Sequence, residues 1–353
     1  MQRKKILFIT GSLNQTTQMH QIASYLKGYD CYFSQLFADN PILKVAVKAG
    51  LTENSILGGV FKQQSEQYLK EHNLPNDYRA EVYGNNYELV VICTELIVPY
   101  RFKHTKTIFV QEGMTDPLSL WSRIVKQFDL PAYLASTSLN GSLNRCDVYC
   151  VASEGYKDKF SEGGTWRQKM VVTGIPNFDN AESFLHNDFK EKGHVLVATT
   201  DIRECYGVDN RKKFIKRCAQ IARGRRLIFK LHPNENHARA TREIKKHAPA
   251  GSLVHTNGNL NAMIANCSIL ITQFSSVVYL GMALGKEVHS YFDLGQLKKL
   301  LPVQNSGTSA KNIAEICTKY IEFSGTKQEF WQQLATYQPA VNKSAAKKST
   351  IAA

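Results

Sequence analysis

A lysine and a histidine one residue apart, Lys230 and His232, close the apolar run of RLIFKLHPNEN, Arg226 to Asn236. Further on, ILIT gives way to Gln273-Phe274-Ser275-Ser276 and to a second apolar stretch that ends in LGK, Leu284 to Lys286. Both polar loops follow strand-like runs, so they fall where an open α/β sheet binds its ligand, at the carboxyl ends of strands. Lys230 and His232 can each donate to phosphate oxygens. Ser275 and Ser276 stand where a helix of about three turns is expected to begin. Their hydroxyls and backbone N–H groups can cap that helix or face an anion. Together the four residues describe a site for a nucleotide mono- or diphosphate. Singly they have ordinary readings: a His-Pro pair that ends a strand, a Ser-Ser pair that caps a helix.

Two carboxylates offer acid–base chemistry. EGMTDP, Glu112 to Pro117, follows the strand-like TIFVQ and places Glu112 at a strand's carboxyl end. Glu112 is the better candidate for a general base that takes a proton from a hydroxyl. Asp116 is the second candidate, and its ordinary reading is as the cap of a helix starting at Pro117. Arg203 and Glu204, in DIRECYG, suit a charged ligand or a pair with each other. Gly11 and Ser12 follow the strand-like KILFIT and begin the polar loop GSLNQTTQ, Gly11 to Gln18, ahead of a helix carrying Met19, Ile22, Ala23 and Leu26. GxGxxG is absent, so this is no dinucleotide fingerprint, and such a loop can instead contact a sugar. No DxD is present, the histidines are scattered, and no CxxC pair occurs, so no metal site is expected.

The elements that must hold these loops are legible in outline. KILFIT, ELVVIC, TIFVQ and CDVYCVA read as buried parallel strands, continuously apolar rather than alternating. Tyr32 to Phe37 and Met170 to Val172 add two more, and Pro41 to Asn73 is mostly helical in pattern. The same grammar returns after TGIPNFDN, Thr173 to Asn180, with strands at 194–199, 227–231, 253–256 and 269–272. Strands alternating with helices imply parallel sheets and right-handed crossovers. The expected division is residues 1–176 as a first Rossmann-like domain and 177–323 as a second that binds nucleotide. Residues 324–353 form a final helix and tail, with Phe330 and Trp331 packing back on the first domain.

At 353 residues the chain is long for one core. Its hydrophobic content of 43% is that of a packed protein. A net charge of +14 suits an anionic ligand, an anionic membrane surface or nucleic acid. The local clusters RKKFIKR and RGRR read first as solvated helix faces. No nucleic-acid module is visible, so no nucleic-acid partner is expected. The eight cysteines suit buried thiols in a reducing compartment. The basic start MQRKK precedes an apolar run only a strand long, and no stretch has the length of a membrane span. A cytoplasmic protein follows, with any membrane contact peripheral at the inner face. Oligomeric state is not legible.

These motifs look familiar as a set. Two Rossmann-like halves, TGxP between them, KxHP after a second-half strand, and SS before a helix ending in LGK resemble the GT-B glycosyltransferase superfamily. Within it, bacterial sialyltransferase-like enzymes, capsule Kdo transferases and CDP-glycerol glycerophosphotransferases pair an HP with an SS motif. That resemblance implies two Rossmann-like domains facing across a cleft, with His232, Ser275 and Ser276 on the phosphate of a cytidine nucleotide. It implies transfer of a sugar or polyol phosphate from a CMP- or CDP-linked donor to a glycan or lipid-linked acceptor of the cell envelope. The donor is then a substrate, and neither cofactor nor catalytic metal is needed. The chain also resembles the UDP-N-acetylglucosamine 2-epimerases, in DIRECYG and in HPN followed by LGK. It departs from them at the loop, Gln273-Phe274-Ser275-Ser276 instead of DSGG, and in a following helix without the acids that hold ribose. A GT-B-shaped protein that binds nucleotide without catalysis is the remaining alternative.

Overall fold

The computed structural model describes residues 2–37, 39, 59–204 and 207–340. The chain divides into two compact units, residues 1–179 with 305–353, and residues 180–304. The return to the first unit comes at Asn305, not at residue 324. The helix Ser309–Glu322, expected in the second domain, therefore belongs to the first.

The first unit is built on a six-stranded parallel sheet in the order β2-β1-β3-β4-β5-β6. The strands are β1 (Lys5–Thr10), β2 (Asp30–Gln35), β3 (Leu89–Ile92), β4 (Lys106–Val110), β5 (Val148–Val151) and β6 (Met170–Val172). Ile6, Leu7, Phe8 and Ile9 are all 0–1% exposed, so β1 is covered on both faces. That explains why these strands read as unbroken apolar runs. One face packs on the helix α1 (Leu13–Ala23) through Met19 and Ile22, and on Ser309–Glu322 through Ile313, Ile316 and Cys317. The last described helix, Lys327–Ala335, adds Phe330, Trp331 and Leu334 to the same core. Trp331 donates its indole N–H to the Asp147 carbonyl at 2.8 Å. Of the expected helix at 41–73, Gly59–Glu71 is present; residues 41–58 lie outside the described residues, as does the tail from Val341.

The second unit holds a five-stranded parallel sheet, order β11-β10-β7-β8-β9. Its strands are β7 (Val195–Ala198), β8 (Leu227–Lys230), β9 (Leu253–His255), β10 (Ile269–Thr272) and β11 (Glu287–His289). Strand order reverses between β7 and β10. That is the topological switch point, the crevice where sheets of this kind bind ligands. Alternate residues face opposite layers. Val195, Val197, Phe229, Ile269 and Ile271 meet the helices Arg211–Ala222 and His237–His247, while Leu196, Ile228 and Leu270 meet Leu260–Asn266 and Val277–Ala283. Seven cysteines are free thiols, mostly buried; Cys205 lies outside the described residues.

Candidate functional site

In the second unit, the carboxyl ends of β7, β8 and β10 bring the expected phosphate ligands onto loops that share one buried polar network. Thr199, just past β7, accepts the backbone N–H of His232 at 3.1 Å and donates to Glu235 Oε2 at 2.5 Å. Thr200 donates to Gln273 Oε1 at 3.1 Å, and Gln273 Nε2 donates to Asp209 Oδ1 at 2.9 Å. Arg211 ties the two halves together. Its guanidinium lies 2.9 Å from Asp209 Oδ2 and 2.7 Å from Glu235 Oε1. The Arg211 and Asp209 side chains are 3% and 2% exposed and that of Glu235 is fully buried. A buried charge is tolerable only when paired and hydrogen-bonded, so these loops are held in one arrangement. Sequence reasoning does not single out Asp209, Arg211 or Glu235. The one available signal is an acid two residues before a basic helix start.

His232 is about one-third exposed. Its Nδ1 accepts the Asn234 backbone N–H at 3.3 Å and lies 3.5 Å from Asp201 Oδ2. An Nδ1 that accepts leaves the ring proton on Nε2, the nitrogen able to donate to an anion. Lys230 is more constrained than expected. Its buried ammonium donates to the carbonyls of Leu231 at 3.0 Å and Thr256 at 3.1 Å, and burial lowers its pKa. Two of its three N–H groups are thus engaged.

The Ser-Ser loop differs from expectation. The helix after it, Val277–Ala283, has seven residues, two turns instead of three. Ser276 occupies the cap position in helical conformation, φ −66° and ψ −12°, without a side-chain capping bond. Ser275 Oγ accepts the N–H of Val277, at 3.5 Å. Both side chains are partly exposed. Gly281 explains how so short a helix sits so close to the sheet: a Cβ there would lie 2.7 Å from Leu270 and 3.1 Å from Val288.

Arg203 and Glu204 do not pair with each other. Arg203 forms a two-pronged pair with Glu243 at 2.9 and 2.8 Å, which holds the Glu243 pKa down. Glu204 accepts the Asn236 N–H at 2.9 Å and pairs with Arg239. Both side chains pin the loop after β7 to the helix His237–His247 and its lead-in. Within DIRECYG, Cys205 and Tyr206 lie outside the described residues.

In the first unit, Glu112 follows β4 and joins the loop after β1. Asn14 and Gln15 donate to its two carboxylate oxygens at 2.8 and 2.5 Å. The N–H of Gly11 in turn donates to Gln15 Oε1 at 2.6 Å, and Ser12 caps α1 by accepting from the Gln15 N–H. Gly11, Ser12 and Glu112 are thus one constellation at the carboxyl edge of this sheet, with Glu112 partly exposed. Asp116 is elsewhere and is not the helix cap. It accepts from Thr137 Oγ1 at 2.6 Å, while the helix Leu120–Gln127 starts four residues later, capped by Ser119 and Ser122. A buried acid that the sequence does not flag is Glu95, which accepts from Leu143 N–H, Arg145 N–H and Tyr149 hydroxyl; burial raises its pKa. Its carboxylate is used up by structure. Among the described residues no group of three or more His, Cys, Asp or Glu side chains could hold a metal ion.

No protein-family model matches the sequence, and the search among curated proteins finds no match. Solved structures do match. A putative UDP-N-acetylglucosamine 2-epimerase from Listeria monocytogenes is similar with a TM-score of 0.59 at 11% identity, over 91% of this chain and 97% of that one. The fold is GT-B. The UDP-GlcNAc 2-epimerase of Methanocaldococcus jannaschii, in complex with UDP-GlcNAc and UDP, gives 0.53 at 13% identity, over 89% of this chain and 99% of that. The Neisseria meningitidis enzyme bound to UDP-GlcNAc gives 0.51 at 12%, over 98% and 99%. Identity this low speaks to the fold: two Rossmann-like parallel-sheet units of the GT-B kind. Among the described residues no helix is long and apolar enough to cross a membrane.

Proposed function

We propose that this chain is an enzyme acting on a nucleotide-activated sugar, with the second unit holding the nucleotide's phosphates. The observation that carries this is the buried Asp209–Arg211–Glu235 network, which braces the His232 loop and the Gln273–Ser276 loop together at the switch point of the sheet. His232 Nε2, the Ser275 and Ser276 hydroxyls and the third N–H of Lys230 are the donors for phosphate oxygens. In the first unit Glu112, held by two amides and still partly exposed, is the carboxylate for proton transfer.

The reaction we favour is epimerisation of a UDP-linked N-acetyl sugar. The three solved structures described above are named for it, and two of them hold UDP-GlcNAc. The test is incubation with UDP-GlcNAc, followed by proton NMR for the 2-epimer and for released UDP. Appearance of the epimer supports the reading; an unchanged substrate that also fails to bind refutes it. With Glu112→Gln, turnover should fall by about a hundredfold or more while nucleotide affinity in calorimetry stays.

Transfer to an acceptor is the second reading, and one observation favours it. The helix Val277–Ala283 carries no acid to hold a ribose, and the acid after it, Glu287, pairs with His289 on β11. This departure is the ground for expecting a cytidine nucleotide held by backbone groups near Thr256 to Asn259. The Thr256 carbonyl, however, already accepts from Lys230. Competition of CMP, CDP, UMP and UDP decides between the readings: tighter UDP binding favours epimerisation, and tighter cytidine binding favours transfer.

A further inference from the structure

The smaller unit, residues 180–304, carries the larger part of the chain's +14 excess charge. Much of it lies in one layer. The helices Arg211–Ala222 and His237–His247 pack side by side on one face of the sheet. Their inner faces are apolar and buried: Phe214, Ile215, Cys218 and Ala222 on one, Ala240 and Ile244 on the other. Their outer faces are cationic. Lys212, Lys213, Lys216 and Arg217 are exposed on the first helix, and Arg242, Lys245 and Lys246 on the second. Arg223 and Arg225, also exposed, extend the layer into the loop that follows the first helix. Residues 211–226 and 237–247 contain a single acid, Glu243, and its carboxylate is already taken by Arg203. The layer therefore presents like charges with no compensating partner on it. Such an arrangement costs self-repulsion unless an anionic surface relieves it.

We propose that this two-helix layer is a docking surface for the anionic face of a lipid bilayer. Helices of twelve and eleven residues, about 18 and 16 Å long by the usual rise, lie side by side and offer cations over an area, not along a track. An array of that kind complements a lattice of lipid headgroups, where each basic residue near the surface adds attraction within a screening length. Nucleic acid fits less well. The one ring of Phe, Tyr or Trp on the two helices, Phe214, is buried, and the exposed ring beside them, Tyr291, lies against the Arg217 guanidinium, so the helices themselves carry no base-stacking platform. The layer inserts no apolar side chain, so the association is electrostatic and reversible. It stands apart from the nucleotide reading, because vesicle binding needs no donor or acceptor.

The experiment is co-sedimentation of the full chain with vesicles of phosphatidylcholine alone and of phosphatidylcholine mixed with phosphatidylglycerol. The chain is expected to sediment with the anionic vesicles only, and to be released by raised salt. Lys212→Glu, Lys216→Glu, Lys245→Glu and Lys246→Glu together should weaken that binding on the order of a hundredfold or more. Arginine at the same four positions should keep it. Equal binding to neutral vesicles, indifference to salt, or full binding by the charge-reversed chain overturns the proposal. So does displacement from the vesicles by a duplex oligonucleotide at equal phosphate. Should the charge-reversed chain not fold, glutamine at the same positions and the wild-type salt series test the same point.

Discussion

His232 and His194 show how differently two histidines of one unit are used. His232 is set on a loop with Nδ1 satisfied and the rest of the ring partly exposed. His232→Ala should remove one charge-assisted contact to phosphate, about 1.5–3 kcal/mol, or ten- to over a hundredfold in nucleotide affinity. Calorimetry on the variant checks this, with an unchanged melting temperature as the control. His194 is 2% exposed and edge-on to Phe189. Burial drives its pKa from 6.5 down to about 4. The unfolded chain takes up this proton near the ordinary value and the folded chain only near the lowered one. The neutral ring's contribution to stability is thus full above about pH 6.5 and is lost as pH falls through the folded value. The loss should reach on the order of 3 kcal/mol. Urea midpoints at about pH 7 and about pH 4 should diverge in the wild type, and that divergence should shrink in His194→Leu.

At the scale of elements, the loops after β7, β8 and β10 stand or fall together. Arg211 sits in the first turn of a helix whose neighbours Lys212 and Lys213 point to solvent. From the sequence it reads as one more residue of a basic cluster. The helix period turns it inward instead, where Asp209 and Glu235 meet it. Arg211→Met would leave the buried Glu235 without its cation and Asp209 with only the Arg203 guanidinium, at 3.9 Å, a loss of about 3–5 kcal/mol. A lowered urea midpoint is the expected readout. Nucleotide affinity should fall in the same variant even at low temperature, where the fold is retained. The two-turn helix Val277–Ala283 carries a related lesson: its apolar letters suggest greater length, but a turn at Gly285, φ +65°, ends it.

At the scale of the molecule, the chain crosses out of the first unit after Asp179 and returns at Asn305. The first unit's core depends on that return, since Ile313, Ile316, Cys317, Phe330 and Trp331 come from beyond it. The second unit owns both faces of its sheet. Residues 180–304 expressed alone should therefore fold, with a cooperative melt followed by circular dichroism. Residues 1–179 alone should lack a cooperative transition, because the face of β1, β3 and β4 that meets Ser309–Glu322 would be bare.

What the sequence determined by itself was the grammar: which runs are strands, that they are parallel, and which loops lie at their carboxyl ends. Continuous apolar runs such as LVVI and VLVA can be satisfied only by burial on both faces, so their assignment needs no neighbour. The strand-end positions of Lys230, His232 and the Ser-Ser loop were legible because such a position is itself a local property. Tertiary structure alone decided partners. Glu112 found Asn14 and Gln15 in the first turn of α1, Arg203 found Glu243, and Arg211 went inward to join two loops. Most of those pairings span large sequence separations, and they depend on strand order, which places β10 beside β7 and β4 near β1. A charge in a sequence has many possible partners; only packing, by excluding water from some, makes one of them obligatory.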